Sequence, residues 1–225
     1  MKEGTDKITL YHGSSNVIEH PVFGKGNPAN DYGLGFYCTE SLELAKEWAC
    51  GKMFDGFANK YEFSLSGLSI LNLSGNNYTI LNWLAVLLNN RSFSIKNAIS
   101  EEGRSFLLNK FLIDITPFDA IRGYRADDSY FSFAQDFLNN TISLQKLEHV
   151  MKLGNLGEQI VLKSKKAFSS IQFETVITAD YKEYFFKREK RDNEAREEYL
   201  KNQRQMKSGA NEVFLIDIIR NGGVI

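Results

Sequence analysis

Apolar residues along the chain come in short bursts with two different periods. Residues 7–11, Lys-Ile-Thr-Leu-Tyr, alternate as a half-buried strand does and run into His12-Gly13-Ser14-Ser15. Gly35-Phe36-Tyr37-Cys38 reads as a short aromatic strand. Thr39 or Ser41 then caps a helix, because Leu42, Ala45, Trp48 and Ala49 recur at helical spacing. Residues 61–65 and 69–73 read as two strands joined at Ser66-Gly67. Residues 79–89 are apolar nearly all round, which predicts a buried helix. A second helix is expected over 99–112, weakened by Gly103. Strand returns at 119–124. Amphipathic segments follow at 130–138 and from a Ser143 cap to Leu153.

Residues 159–162 and 170–176 are the late strands. Strands and helices mix without βαβ regularity, which predicts an α+β fold over a single domain, 1–225. Residues 182–207 differ in kind, with nine basic and six acidic residues among 26 positions. Pairs such as Glu183/Lys187, Asp192/Arg196 and Glu197/Lys201 predict a solvated helix remote from any cleft. The tail, 211–225, holds the apolar run 213–219 and is expected to return to the core as a strand.

Composition narrows the classes. A chain 43% hydrophobic with 17 Phe and 10 Tyr has ample material for a core, so disorder over most of its length is excluded. A net charge of −1 argues against a general electrostatic binder of nucleic acid or membrane. The longest uninterrupted apolar run, 83–88, is far short of the roughly 20 residues that span a bilayer. The charged first residues lack the apolar stretch of a signal peptide. Two cysteines, Cys38 and Cys50, make no disulfide scaffold, so a cytoplasmic location is expected.

Common chemical motifs are missing. Three separated histidines and no HExxH or Cys/His cluster make a metal site unexpected. There is no GxSxG and no P-loop. Gly24-Lys25-Gly26-Asn27-Pro28-Ala29 matches GxGxxG/A formally, but a turn cluster follows it where that fingerprint needs a helix. Cys38 beside Tyr37 reads as a buried small hydrophobe.

Two segments stand out, Tyr11-His12-Gly13-Ser14 and Tyr32-Gly33-Leu34-Gly35-Phe36-Tyr37. With Gly157-Glu158-Gln159-Ile160-Val161 they resemble the ADP-ribosyltransferase superfamily, in the branch shared by diphtheria toxin and the poly-ADP-ribose polymerases. That branch carries His, Tyr and Glu on three strands. A closer resemblance is to a bacterial family known only as a domain of unknown function. Its pattern is met here by Tyr11-His12-Gly13-Ser14, Asn30-Asp31-Tyr32-Gly33-x-Gly35-Phe36-Tyr37, Ala126-Asp127-Asp128 and Gln159-Ile160-Val161, over roughly residues 8–176.

The resemblance implies a split β core, two packed sheets around an NAD cleft with flanking helices, and transfer of ADP-ribose from NAD to a macromolecular acceptor. It implies a bacterial toxin or effector with a small antitoxin as a possible partner, and no metal. His12 would bond a ribose hydroxyl, Gly13 and Ser14 would take the nicotinamide carboxamide, and Tyr37 would stack on the ring, with Trp48 as a second aromatic wall. Glu158 is the preferred catalytic carboxylate and Gln159 the alternative. A carboxylate stabilises the cationic ribose of the transition state, and successive strand residues face opposite ways. Asp127 and Asp128 are the next acidic candidates. Contrasting readings are an inactive NAD-binding domain, an interaction protein using the charged helix, and an NAD glycohydrolase.

Overall fold

Ile160, Val161 and Leu162 are buried on both faces of one strand, and the architecture follows from what covers each face. The computed structural model describes residues 6–126, 128–151, 157–205 and 212–224. Seven strands among them form two sheets. The first has the order β1 (Lys7–Ser14), β3 (Gly56–Ser64), β7 (Ile171–Ala179), all antiparallel. The second has the order β2 (Phe36–Cys38), β6 (Glu158–Leu162), β5 (Ala120–Tyr124), β4 (Ile70–Asn72), with only β4 and β5 parallel. Paired backbone hydrogen bonds between Tyr11 and Thr39, 2.7 and 2.9 Å, tie the two sheets together.

Leu10, Tyr61 and Phe63 of the first sheet pack with Phe36, Cys38, Ala120, Ile160 and Leu162 of the second. The other face of the second sheet, through Leu71, Ile121 and Val161, packs under helices. These are α2 (Ile80–Asn90), α3 (Ala98–Phe111), α4 (Asp128–Leu138) and α5 (Leu144–Val150). Trp83, Leu84 and Leu87 of α2 are fully buried, each contributing roughly 1.5–3 kcal/mol relative to exposure. The remaining early helix, α1 (Leu42–Ala49), lies against β1 and β3. Ser41 caps it, accepting a hydrogen bond from the Leu44 N–H. The short α6 (Lys165–Ser169) links β6 to β7. The α+β class expected from the pattern is the class observed. Residues 61–65 and 69–73 do not pair, however, since β3 and β4 belong to different sheets.

Two expectations are corrected. The tail segment expected as a strand is helix α8 (Leu215–Arg220). Leu215 and Ile218, three apart, are the fully buried positions, and the Asp217 carboxylate caps the Phe214 N–H at 2.9 Å. A short apolar run carries no period long enough to distinguish the two states. Gly103 makes room for this helix. A Cβ there would lie 2.4 Å from Leu215 Cδ2.

The charged segment is helical, as α7 (Tyr181–Gln205), but not solvated all round. Tyr184, Phe185, Ala195 and Tyr199 form a buried stripe toward α1 and α4. Arg191 Nε donates to Glu47 at 2.9 Å and its Nη2 lies 2.8 Å from the same carboxylate as an ion pair, and Tyr199 donates to Asp136 at 2.7 Å. Charge density alone did not reveal this stripe, because the aromatics within it are spaced by long charged neighbours.

Candidate functional site

His12, two residues before the end of β1, meets Tyr37 of β2 across the gap between the sheets. Its Nδ1 lies 2.7 Å from the Tyr37 carbonyl oxygen. A carbonyl only accepts, so Nδ1 carries the proton and Nε2 is the acceptor left over. The ring stacks on Phe36 with centroids 4.3 Å apart. Burial holds the imidazole pKa below its ordinary 6.5, against the smaller opposing pull of the Tyr37 carbonyl.

Tyr37 is fixed at its far end as well. Its hydroxyl donates to the Gly33 carbonyl at 2.5 Å and accepts from the Tyr32 N–H at 3.1 Å. Burial keeps this phenol neutral, its pKa raised far above the ordinary value. The loop carrying these partners is pinned by Lys163, whose ammonium donates to the Tyr32 and Leu34 carbonyls at 2.6 and 2.5 Å.

Two adjoining cavities share Asn30 and Tyr37 as walls. One, of about 650 Å³, is lined by His12, His20, Phe36 and apolar residues of the loop after β1. The other, of about 590 Å³, is more polar and includes Asp31, Arg91, Arg125 and Gln159. Its remaining wall is α7, through Phe185, Arg188, Glu189 and Asp192. The expectation that this helix stays clear of the cleft is therefore corrected: its buried stripe turns these residues inward.

β6 decides which late-strand residue faces the polar cavity. Tyr37 pairs directly with Val161, so Gln159, two residues along, shares their face. Gln159 is 3% exposed, and its Nε2 donates to Asp31 Oδ2 at 2.9 Å and to the Tyr124 carbonyl at 3.2 Å. Glu158 lines neither cavity. Its carboxylate pairs with Arg122 at 2.7 Å and accepts from the Ser74 hydroxyl, while Arg122 also holds Glu40 at 2.7 Å. Of the two, Gln159 lines the polar cavity, whereas Glu158 shares the opposite face of β6 with Ile160 and Leu162.

Other expected residues support the site from behind. Gly13 lines neither cavity, and a Cβ there would sit 2.0 Å from the Ala45 carbonyl oxygen, so it admits α1 against β1. Ser14 donates to the Asn16 carbonyl at 2.6 Å and accepts from Asn59 at 3.0 Å. Trp48 is not a cavity wall. Its ring carries the Arg125 guanidinium, 3.3 Å from the ring centroid, and that guanidinium does line the polar cavity. Cys38 is fully buried, and burial raises its thiol pKa far above the ordinary range, as expected of a small core residue. Asp127 lies outside the described residues, and Asp128 opens α4.

Asp31 and Arg91 were missed. Arg91 follows the last residue of the buried helix α2, and its Nη1 donates to Asp31 Oδ1 at 3.0 Å and to the Ala126 carbonyl at 2.7 Å. Asp31 Oδ2 also accepts from the Ala126 N–H at 2.9 Å. The available signal was a charged residue placed directly after an almost wholly apolar helix. Among the described residues no group of three or more His, Cys, Asp or Glu is placed to hold a metal ion. No helix among them is long and apolar enough to cross a membrane.

An α+β protein with a polar cavity walled by β6, a pinned loop and a charged helix is the class that fold and site define. The model of a family described as protein of unknown function, DUF3990, matches residues 8–173, and the chain belongs to that family. Searches of curated proteins and of solved structures return no match.

Proposed function

We propose that the chain binds NAD at the junction of the two cavities and transfers ADP-ribose to a macromolecular acceptor, on an ADP-ribosyltransferase-like split β core. The observation that carries the reading is the shared Tyr37 wall. One cavity presents His12 and the other Gln159, and a single ligand extended past Tyr37 would meet all three. Each cavity falls within the roughly 300–1,000 Å³ usual for ligand sites. In this reading His12 Nε2 accepts from a ribose hydroxyl, the Tyr37 ring stacks on the nicotinamide, and Gln159 meets the second ribose. The bond from ribose C1′ to the nicotinamide nitrogen breaks, and nicotinamide leaves with the electron pair. The acceptor's nucleophile bonds C1′ and loses its proton.

Glu158 favours a second reading, NAD binding without efficient transfer. No carboxylate of β6 faces the polar cavity, and an amide dipole stabilises a developing cation less than a full charge does. Calorimetric titration with NAD, combined with chromatographic assay of released nicotinamide, separates the two. Binding with release supports transfer, and its acceptor is then sought among proteins and nucleic acids labelled from adenylate-tagged NAD. Release without label indicates a glycohydrolase. Binding without release supports the second reading, and absence of binding ends both. A bacterial toxin role with a small neutralising antitoxin belongs to the first reading alone.

A further inference from the structure

We propose that Asp31 is the positioning residue of the polar cavity: it fixes the Gln159 amide so that Oε1 meets the ligand, which must donate a hydroxyl there. The ligand assignment rests on the NAD reading above, while the positioning does not.

Both hydrogens of Gln159 Nε2 are committed, to Asp31 Oδ2 at 2.9 Å and to the Tyr124 carbonyl at 3.2 Å. A carboxylate and a backbone carbonyl only accept, so the nitrogen must occupy this side and the oxygen the other. Oε1 accepts no hydrogen bond from any described residue, and Gln159 lines the cavity. The group offered to a ligand is therefore an acceptor alone. It suits a ribose hydroxyl and disfavours a phosphate or carbonyl oxygen. Asp31 cannot easily turn away, because Oδ1 is held by Arg91 at 3.0 Å and Oδ2 by the Ala126 N–H at 2.9 Å. The Asp31 carbonyl is held too, by Asn90 Nδ2 at 3.3 Å. The end of α2 thus sets a loop carboxylate, and the carboxylate sets the amide on β6.

The test is Gln159→Glu. A carboxylate at 159 would face two acceptors, so the side chain fits only as the protonated acid, donating O–H to Asp31 and leaving its carbonyl oxygen toward the cavity. Its folded pKa is then raised above the unfolded value, and the stability it supports is lost as pH rises. Arg91, Arg125, Tyr32, Tyr37, Tyr124, Arg188, Glu189 and Asp192 surround the pair in both proteins, so every value is taken as a ratio to wild type at the same pH. Relative to wild type, the urea midpoint of Gln159→Glu should be highest at pH 4, below the ordinary Glu pKa of about 4.3, and fall progressively toward pH 8. NAD affinity by calorimetry should be near wild type at pH 5 and at least tenfold weaker at pH 8. Gln159→Leu, which carries no charge, should weaken NAD at least tenfold at every pH.

A midpoint for Gln159→Glu that runs parallel to wild type overturns Asp31 as the positioning partner. A pH-dependent midpoint with unaltered NAD affinity overturns Oε1 as the ligand contact, as does wild-type affinity in Gln159→Leu. If wild type binds no NAD while the midpoint shifts as expected, the NAD reading fails and the positioning stands.

Discussion

His12 and Tyr37 belong to different sheets and are joined by one hydrogen bond, 2.7 Å from His12 Nδ1 to the Tyr37 carbonyl. With the Tyr11–Thr39 bridge one residue earlier, this contact closes the gap where β1 passes β2. It selects the Nδ1–H tautomer, and the surrounding burial disfavours a second proton. Unfolded, His12 takes that proton near pH 6.5; folded, it does so only at lower pH.

The sign of the pH effect follows. Between the two pKa values the unfolded chain binds more protons, so stability rises with pH there. The contribution of His12 is complete above pH 6.5 and is lost as pH falls through the folded value. His12→Asn keeps an N–H able to reach the Tyr37 carbonyl and removes the titration. Between pH 7 and pH 5 the urea midpoint of wild type should fall more than that of His12→Asn. Parallel curves would mean that the imidazole is protonated equally in both states.

Gly13→Ala distinguishes a packing role from a ligand role. The new methyl would stand 2.0 Å from the Ala45 carbonyl and 2.9 Å from the Ala49 nitrogen, all backbone of α1. The helix must shift, at a cost of about 1–3 kcal/mol or somewhat more. Chemical denaturation should register that loss. Unchanged stability with weakened NAD binding would instead return Gly13 to the ligand.

Legibility in the sequence tracked how local each signal is. The strand around Leu10 was readable from its alternation and the strand around Val161 from an unbroken apolar run that is buried on both faces. His12 and Tyr37 were readable because each sits in a short run of residue types that a resemblance could match. Asp31 was not, since its partners lie 60, 95 and 128 residues away and no periodicity links a turn to a helix end and a strand. The choice between Glu158 and Gln159 needed the register of β6 against β2, which a five-residue strand does not declare. Helix α8 was hidden by an apolar run with four β-branched residues among seven, whose preference for strands is overridden by the packing of Leu215 and Ile218.

Helix α7 reaches the cavity because Arg191 and Glu47 hold it, with side chains only 14% and 10% exposed. Glu47→Ala leaves the guanidinium without that carboxylate in a largely buried setting. The expected loss is about 3 kcal/mol, since breaking such a pair from one side costs more than the pair is worth. Hydrogen exchange should accelerate across 181–205, while amides of β3 and β5 keep their order of protection. Uniform acceleration over the whole chain would mean that α7 unfolds only with the core.

Glu158→Gln completes the comparison on β6. The Glu158 carboxylate is 34% exposed and Arg122 28%, and Arg122 retains Glu40 when the charge at 158 is removed. Loss of so exposed an ion pair should cost no more than about 1 kcal/mol. NAD affinity should stay within twofold of wild type, and any nicotinamide release should continue at its original rate, because this side chain lies on neither cavity wall. A rate reduced a hundredfold at unchanged affinity would mark a charge acting on the transition state. That outcome would move the chemistry from the polar cavity to the opposite face of β6, where Glu158 lies with Ile160 and Leu162.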